Sequence, residues 1–216
     1  MRLESYDTER YDFRSLICEA LGHDDLEDLH MHYEYDKPFT MENNSDTVPH
    51  NKFYSKIRAG WTDFEQLYDK FVREVVVPIY GSCNFVYQSL PTFRVHLVGN
   101  WVVPEFHCDS QPGYNHPEGE INIQVAITDI FDTNATWCES VPGLGDYTPM
   151  ELEHNEFMVF NGSKCRHGNM INETSDTRVS FDFRILPLEK YEPDMSKSSG
   201  TRKMRFIVGE YYKELK

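Results

Sequence analysis

Residues 177–186 read TRVSFDFRIL, and the alternation inside this run decides the fold. Val179, Phe181, Phe183 and Ile185 take one face of an extended strand, while Arg178, Ser180, Asp182 and Arg184 take the other, because successive side chains on a strand point to opposite sides. A face with two arginines and an aspartate has two readings. It is the wet outer face of a half-exposed strand, or the inner wall of a barrel that holds something polar, since an unpaired buried guanidinium is costly. Residues 120–128, EINIQVAIT, repeat the pattern: Ile121, Ile123, Val125 and Ile127 oppose Asn122, Gln124, Ala126 and Thr128.

Outward from these two runs, further short β-like stretches follow Cys83: NFVYQSL, TFRVHLV, WVVPEFHCD, ATWCESV, the FMVF of residues 157–160 and MRFIV near the end. They are punctuated by Gly, Pro and Asn, as strands of a sandwich or barrel are. Helical spacing is confined to the front. Phe13, Leu16, Ile17, Ala20 and Leu21 mark a helix within residues 12–30, stopped by Gly22. Trp61, Phe64, Leu67, Tyr68, Phe71, Val72, Val75, Val76 and Ile79 form a wide stripe, ended by Pro78 and Gly81. Residues 37–51 and 190–203 read as loops, the second before a final edge strand. The expectation is a single mainly β domain: helical support over 1–82, a β core over 83–186, and a loop with a terminal edge strand over 187–216.

Composition limits the function. The 216 residues carry 13 Tyr and 14 Phe and a net charge of −15, which repels a phosphate backbone and argues against nucleic acid as a partner. Five cysteines without CxxC spacing, a charged start and no apolar run of membrane length suggest a reduced, cytoplasmic chain with no membrane contact. The oligomeric state is not readable.

The chemistry starts at residues 101–109, WVVPEFHCD, where an extended apolar run closes on His107 and Asp109. Two residues apart on a strand, they share a face. Other His-x-Asp/Glu pairs exist, at His23 with Asp25, His32 with Glu34, His116 with Glu118 and His154 with Glu156, and His30 with His32 forms HxH. These lie at a helix stop or in polar loops, so His107 and Asp109 are the better metal ligands. His167, in RHGN, is the third candidate. Two histidines and a carboxylate on one face of an octahedron leave three positions open, as in non-haem Fe(II) oxygenases.

HxD, a distant His followed by Gly, and Arg178 eleven residues after His167 in an Arg-Val-Ser triplet together resemble the Fe(II)/2-oxoglutarate-dependent oxygenases. Those enzymes have the double-stranded β-helix fold, a jelly-roll or cupin-like barrel. More closely, residues 113–149 (GYNHPEGEINIQVAITDIFDTNATWCESVPGLGDYTP), 160–185 (FNGSKCRHGNMINETSDTRVSFDFRI) and 206–212 (FIVGEYY) resemble small oxygenases of aminoglycoside pathways of the streptomycin and hygromycin cluster type. The resemblance implies that His107, Asp109 and His167 hold Fe(II). It implies that Arg178 pairs with the distal carboxylate of the cosubstrate 2-oxoglutarate, seconded by Ser180, that Asn122 and Gln124 donate to its other carboxylate, and that O2 is consumed. Tyr114, His116, Glu118, Trp137 and Glu139 are candidate rim contacts for a small-molecule substrate, with Arg94 on TFRVHLV a further ligand-facing candidate. The acidity and the amino-sugar resemblance together favour a cationic substrate. Two rivals remain open: a cupin-like isomerase or lyase, which has no use for Arg178, and a jelly-roll binding module, which needs no metal.

Overall fold

A computed structural model describes residues 1–33, 46–81, 84–103, 105–193, 198 and 204–215. Among these, ten strands build two antiparallel sheets. The larger contains β1 (Arg2–Ser5), β2 (Phe85–Gln88), β3 (Thr92–His96), β4 (Ile121–Ala126), β7 (Glu156–Phe160), β9 (Arg178–Pro187) and β10 (Tyr212–Lys213), in the order β1-β7-β4-β9-β2-β10, with β3 also on β9. The smaller has the order β6-β5-β8, with β5 (Thr136–Cys138), β6 (Thr148–Met150) and β8 (His167–Asn169).

Strand β9, the alternating run RVSFDFRIL and the proline after it, is the axis of the large sheet. Its residues 180–185 pair with β4 along one edge, and on the other edge it takes β3 at 178–182 and β2 at 185–187. The apolar set Val179, Phe181, Phe183 and Ile185 is buried in the main core with Ile123 and Val125. Helices cover that face. Phe13 meets Phe181 edge-on at 4.9 Å, and Tyr68 meets Phe183 at 5.2 Å. Truncating Phe181 to Ala would cost about 3–5 kcal/mol, the usual range for a buried Phe. The opposite face of β4 and β7 packs toward the small sheet, where Met158, Phe160, Cys138, Met150 and Cys165 form a second cluster.

Helix α1 (Phe13–Leu21) is capped by Asp12, whose side chain accepts from the Ser15 N–H, and it ends on Gly22 in the left-handed conformation. The stripe at 61–79 is helical: α3 (Thr62–Phe71), a π turn (Val72–Val76) and α4 (Val77–Tyr80), closed by Gly81. Pro78 does not end the run. The wider turn before it relieves the clash of the proline ring with the carbonyl four residues back. No helix of the described residues is long and apolar enough to cross a membrane.

Several expectations are corrected. Of the stretch read as a loop over 37–51, residues 37–45 lie outside the described residues, and 48–51 open helix α2 (Val48–Arg58), with Pro49 in the first turn, where its missing N–H does no harm. Among its described residues the WVVPEFHCD stretch forms no strand. It runs along β8 through scattered bonds, Asn169 N–H to Val103 at 2.9 Å and a two-way bridge between His107 and His167. Residue 104 is a proline with no N–H to give a ladder. MRFIV forms only isolated bridges at Arg205 and Val208, and the terminal edge strand is β10, paired to β2. Strands β1, β6 and β8 are additions to the expected set. Glu34 and Cys83, and most of the loop at 190–203, lie outside the described residues.

Candidate active site

The bridge between His107 and His167 sets the geometry. Each N–H donates to the other's carbonyl, at 3.0 and 2.9 Å, which brings the two rings to 4.6 Å. In both residues the Nδ1–H donates to the carbonyl two positions upstream, Glu105 at 2.9 Å and Cys165 at 3.1 Å. That fixes the tautomer and leaves each Nε2 with a free lone pair. Both Nε2 atoms face Asp109 Oδ1, at 3.4 and 3.6 Å. Three ligand atoms therefore converge on one point, all from buried residues.

Protonation states suit a cation. Burial pushes the His167 ring down to about 4, partly offset by Asp109, so the imidazole is neutral at physiological pH. Burial alone would push the Asp109 carboxyl up, but Arg184, His107 and His167 hold it well below the usual carboxylate range. Its Oδ2 accepts from Asn122 Nδ2 at 2.8 Å and from Arg184 Nε at 3.1 Å, with Arg184 Nη2 3.0 Å away in the ion pair. Tyr114 stacks on His107 with centroids 4.0 Å apart, and Phe160 meets His167 edge-on. The glycine of RHGN is sterically required, because a Cβ on Gly168 would lie 2.9 Å from the Phe106 ring and 3.1 Å from its Cα.

A cavity opens from this centre between the sheets, lined by the polar faces of β3, β4 and β9: Arg94, Asn122, Gln124, Arg178, Asp182 and Arg184, with Thr136, Phe160 and both histidines. The polar face of β9 is therefore an inner wall, not a wet outer one. Arg94 and Arg184 share Asp182, at 2.7 and 2.8 Å. Arg178 is different. It is buried, its Nη1 donates to Thr136 Oγ1 at 3.1 Å, its Nε has no hydrogen-bond partner, and no carboxylate of the described residues lies within ion-pair distance. Burial, then Arg94, push its pKa down to about 9.

The other candidates separate. Gln124 lines the cavity. Asn122 lines it too, but its amide is engaged on Asp109 rather than free for a second carboxylate. Ser180 is buried with an unpartnered hydroxyl. His116 pairs with Glu120, not with Glu118: its Nδ1–H donates to Glu120 Oε2 at 2.7 Å, and Glu120 also accepts from Tyr212. Glu118 is exposed, 3.4 Å from Lys164. Glu139 is buried, and its carboxylate accepts from the backbone N–H groups of Gly143, Gly145 and Arg166, so it closes the 139–146 loop instead of facing a substrate. Those bonds, the Arg166 N–H foremost, hold its carboxyl below the usual range. Trp137 is half-buried on β5, opposite Gly168. Among the described residues only two sets of three donors assemble, His107/Asp109/His167 and Asp109/His116/Glu120. The pairs at His23 and His154 thus gather no third ligand. Glu120 and the Arg184–Asp109 contact were missed in the sequence. Arg184 was visible there only as a member of the polar face of TRVSFDFRIL.

No family model matches the sequence. The streptomycin biosynthesis protein StrG of Streptomyces griseus is 32% identical over 207 residues, covering 96% of this chain and 94% of that protein. Among solved structures, a non-haem monooxygenase, ThoJ in complex with nickel, aligns over 97% of this chain and 81% of its own, with a TM-score of 0.53 and 11% identity. CytC3 with Fe(II) and α-ketoglutarate aligns over 93% of this chain and 79% of its own, with a TM-score of 0.50 and 15% identity. At these identities the two structures show the fold, a double-stranded β-helix.

Proposed function

Because this chain belongs to the family of the streptomycin biosynthesis protein StrG, we propose that it is a non-haem Fe(II)- and 2-oxoglutarate-dependent oxygenase. Its reaction would be oxidation of a C–H bond of a small metabolite, by hydroxylation or oxidative ring closure, in an antibiotic-type pathway. The observation that carries the reading is the pairing of two features in one cavity: three convergent donors, and a buried guanidinium, that of Arg178, without an anion.

The residues fit the groups. Nε2 of His107, Nε2 of His167 and Oδ1 of Asp109 would hold Fe(II), a set of nitrogen and oxygen donors suited to that ion. Arg178 would take the distal carboxylate of 2-oxoglutarate, its planar fork matching both oxygens. Three guanidinium groups (Arg94, Arg178, Arg184) face two carboxylates (Asp109, Asp182) around the cavity, an excess of positive charge that favours an anion there. When bound, iron and 2-oxoglutarate supply the oxidising power of O2, the cosubstrate leaving as succinate and CO2. The Nδ1–H bonds of both histidines leave their Nε2 lone pairs for the metal, burial keeps His167 neutral, Arg184 keeps Asp109 ionised, and Phe160 and the ring of Tyr114 wall the centre. Gln124 remains available for the near carboxylate.

The substrate is a small molecule, and a cationic one such as an amino sugar is favoured by the charge of −15. Glu118, Tyr114 and His116 border the approach in sequence. Glu139 no longer supports that preference. A cupin-like isomerase or lyase would leave Arg178 without a role.

Anaerobic addition of Fe(II) and then 2-oxoglutarate to the purified protein tests the reading. A visible charge-transfer band should develop with one equivalent of each and be absent in His167→Ala. A protein that binds neither, or a variant that retains the full band, would refute it.

A further inference from the structure

The two oxygens of Asp109 are in different situations. Oδ1 has no hydrogen-bond donor on it and faces the two Nε2 atoms. Oδ2 receives two hydrogen bonds, from Asn122 Nδ2 and Arg184 Nε, with Arg184 Nη2 3.0 Å away as part of the ion pair. A carboxylate oxygen offers two lone pairs, so Oδ2 is saturated and has nothing left for a metal. Both donors are themselves fixed. Asp182 Oδ2 accepts from Arg184 Nη1 at 2.8 Å and holds the guanidinium from behind, while Asp182 Oδ1 is tied to Arg94. Asn122 fits against Gly162, where a Cβ would come within 2.6 Å of its amide. Asn122 and Arg184 are also cross-strand partners in the β4–β9 ladder, which delivers them side by side.

Building on the iron-site reading above, we infer that Arg184, tethered by Asp182 and seconded by Asn122, is a positioning residue that restricts Asp109 to one-oxygen coordination. The consequence is a coordination count. One oxygen and two imidazoles take three of six positions and leave three open. A carboxylate bound through both oxygens would close one of them, and a cosubstrate that chelates would then occupy all that remained. A bystander ion pair that only stabilised the sheet would leave that count unchanged.

The test uses Mn(II) on the metal-free full-length chain, with two readouts that need no turnover: affinity from calorimetry, and the number of exchangeable waters on the ion from water-proton relaxation. The wild type should bind one Mn(II) carrying about three waters, the open positions of a facial triad. Arg184→Met should lose about one water as Oδ2 swings onto the ion, and lose about 10–100-fold in affinity, the usual effect of removing an outer partner of a ligand. Arg184→Lys, a point charge able to meet only one oxygen, should recover part of both. Asn122→Ala should shift both readouts in the same direction by less. Unchanged affinity and water number in a folded Arg184→Met overturn the inference. If that variant does not fold, Asn122→Ala decides by the same criterion. A wild type that binds no Mn(II) would instead overturn the iron reading on which the inference rests.

Discussion

Replacing Arg178 with Met should make the ligand-free protein no less stable while removing its affinity for 2-oxoglutarate. The two signs come from the same guanidinium. In the free protein it is buried, bonded through Nη1 to a neutral hydroxyl, with Nε unsatisfied. A fall in its pKa from 12.5 to about 9 amounts to about 5 kcal/mol at about 1.4 kcal/mol per tenfold, the cost of holding the charge there. Methionine removes that cost, and loses about 1 kcal/mol with the Thr136 hydrogen bond and a similar amount to imperfect packing. Exchanging an uncompensated buried charge for an apolar group is commonly neutral or stabilising by about 1–4 kcal/mol. A carboxylate docking on Arg178 reverses the balance, so the variant should bind 2-oxoglutarate more weakly by roughly 2–5 kcal/mol, the typical loss when one partner of a buried charge pair is removed. Iron affinity without cosubstrate should be unchanged. Calorimetric titration of 2-oxoglutarate into the Mn(II)-loaded protein, paired with thermal unfolding of the metal-free form, reads both effects. Wild-type cosubstrate affinity in the variant would transfer the anion site to Arg94 or Arg184. A stability loss of several kcal/mol would mean the guanidinium is structural.

Glu139→Ala should lower stability by about 2 kcal/mol, because three backbone N–H groups lose a charged acceptor; urea unfolding measures this, and iron and 2-oxoglutarate binding should stay as in the wild type. The metal-free fold should weaken in mild acid, since His50 and His96 sit at about 3 and His167 at about 4 against 6.5. For a base lowered by folding, the unfolded chain binds more protons between the two values, so stability falls as pH drops from 6.5 toward 4, by up to about 4.1 kcal/mol per pH unit for three protons; a flat profile from urea midpoints at pH 7, 6 and 5 would contradict it. Among cationic, neutral and anionic polyols assayed by substrate-dependent succinate release, cationic ones should stimulate most and show a KM that rises with salt; best activity on an anion would exclude the charge argument and leave the oxygenase reading intact.

The period of two along 177–186 and 120–128 was enough to say which residues share a wall. Phe181 and Phe183 could face only the helices once Arg178 and Arg184 faced the cavity, because a slip of one residue would exchange every side chain between core and interior. Helix α2 was hidden for a local reason: Thr-Val-Pro-His-Asn reads as turn punctuation, and a proline in a first helical turn looks the same in sequence as one in a loop. The HxD stretch has the apolar run of a strand, but its proline, residue 104, has no N–H for a ladder.

Roles inside the site needed more than the face. Asn122 and Gln124 are equivalent by period, both polar and both inward, yet the Asn122 amide donates to Asp109 while Gln124 faces the cavity elsewhere. What separates them is the register of β4 on β9: Asn122 lies opposite Arg184, and Gln124 lies opposite Asp182. Register is fixed by the sum of contacts along both strands and by the loops that join them, so no local pattern in either strand contains it. The same holds for Glu139 and Glu118, both acidic and both near the expected rim. Glu139 precedes a turn with glycines at 143 and 145 in the left-handed region, whose N–H groups turn inward and capture the nearest carboxylate. An acid followed by Pro-Gly-x-Gly is thus better read as the anchor of its own loop, and charge available for a substrate should be sought in residues such as Glu118 whose neighbours offer no backbone donors.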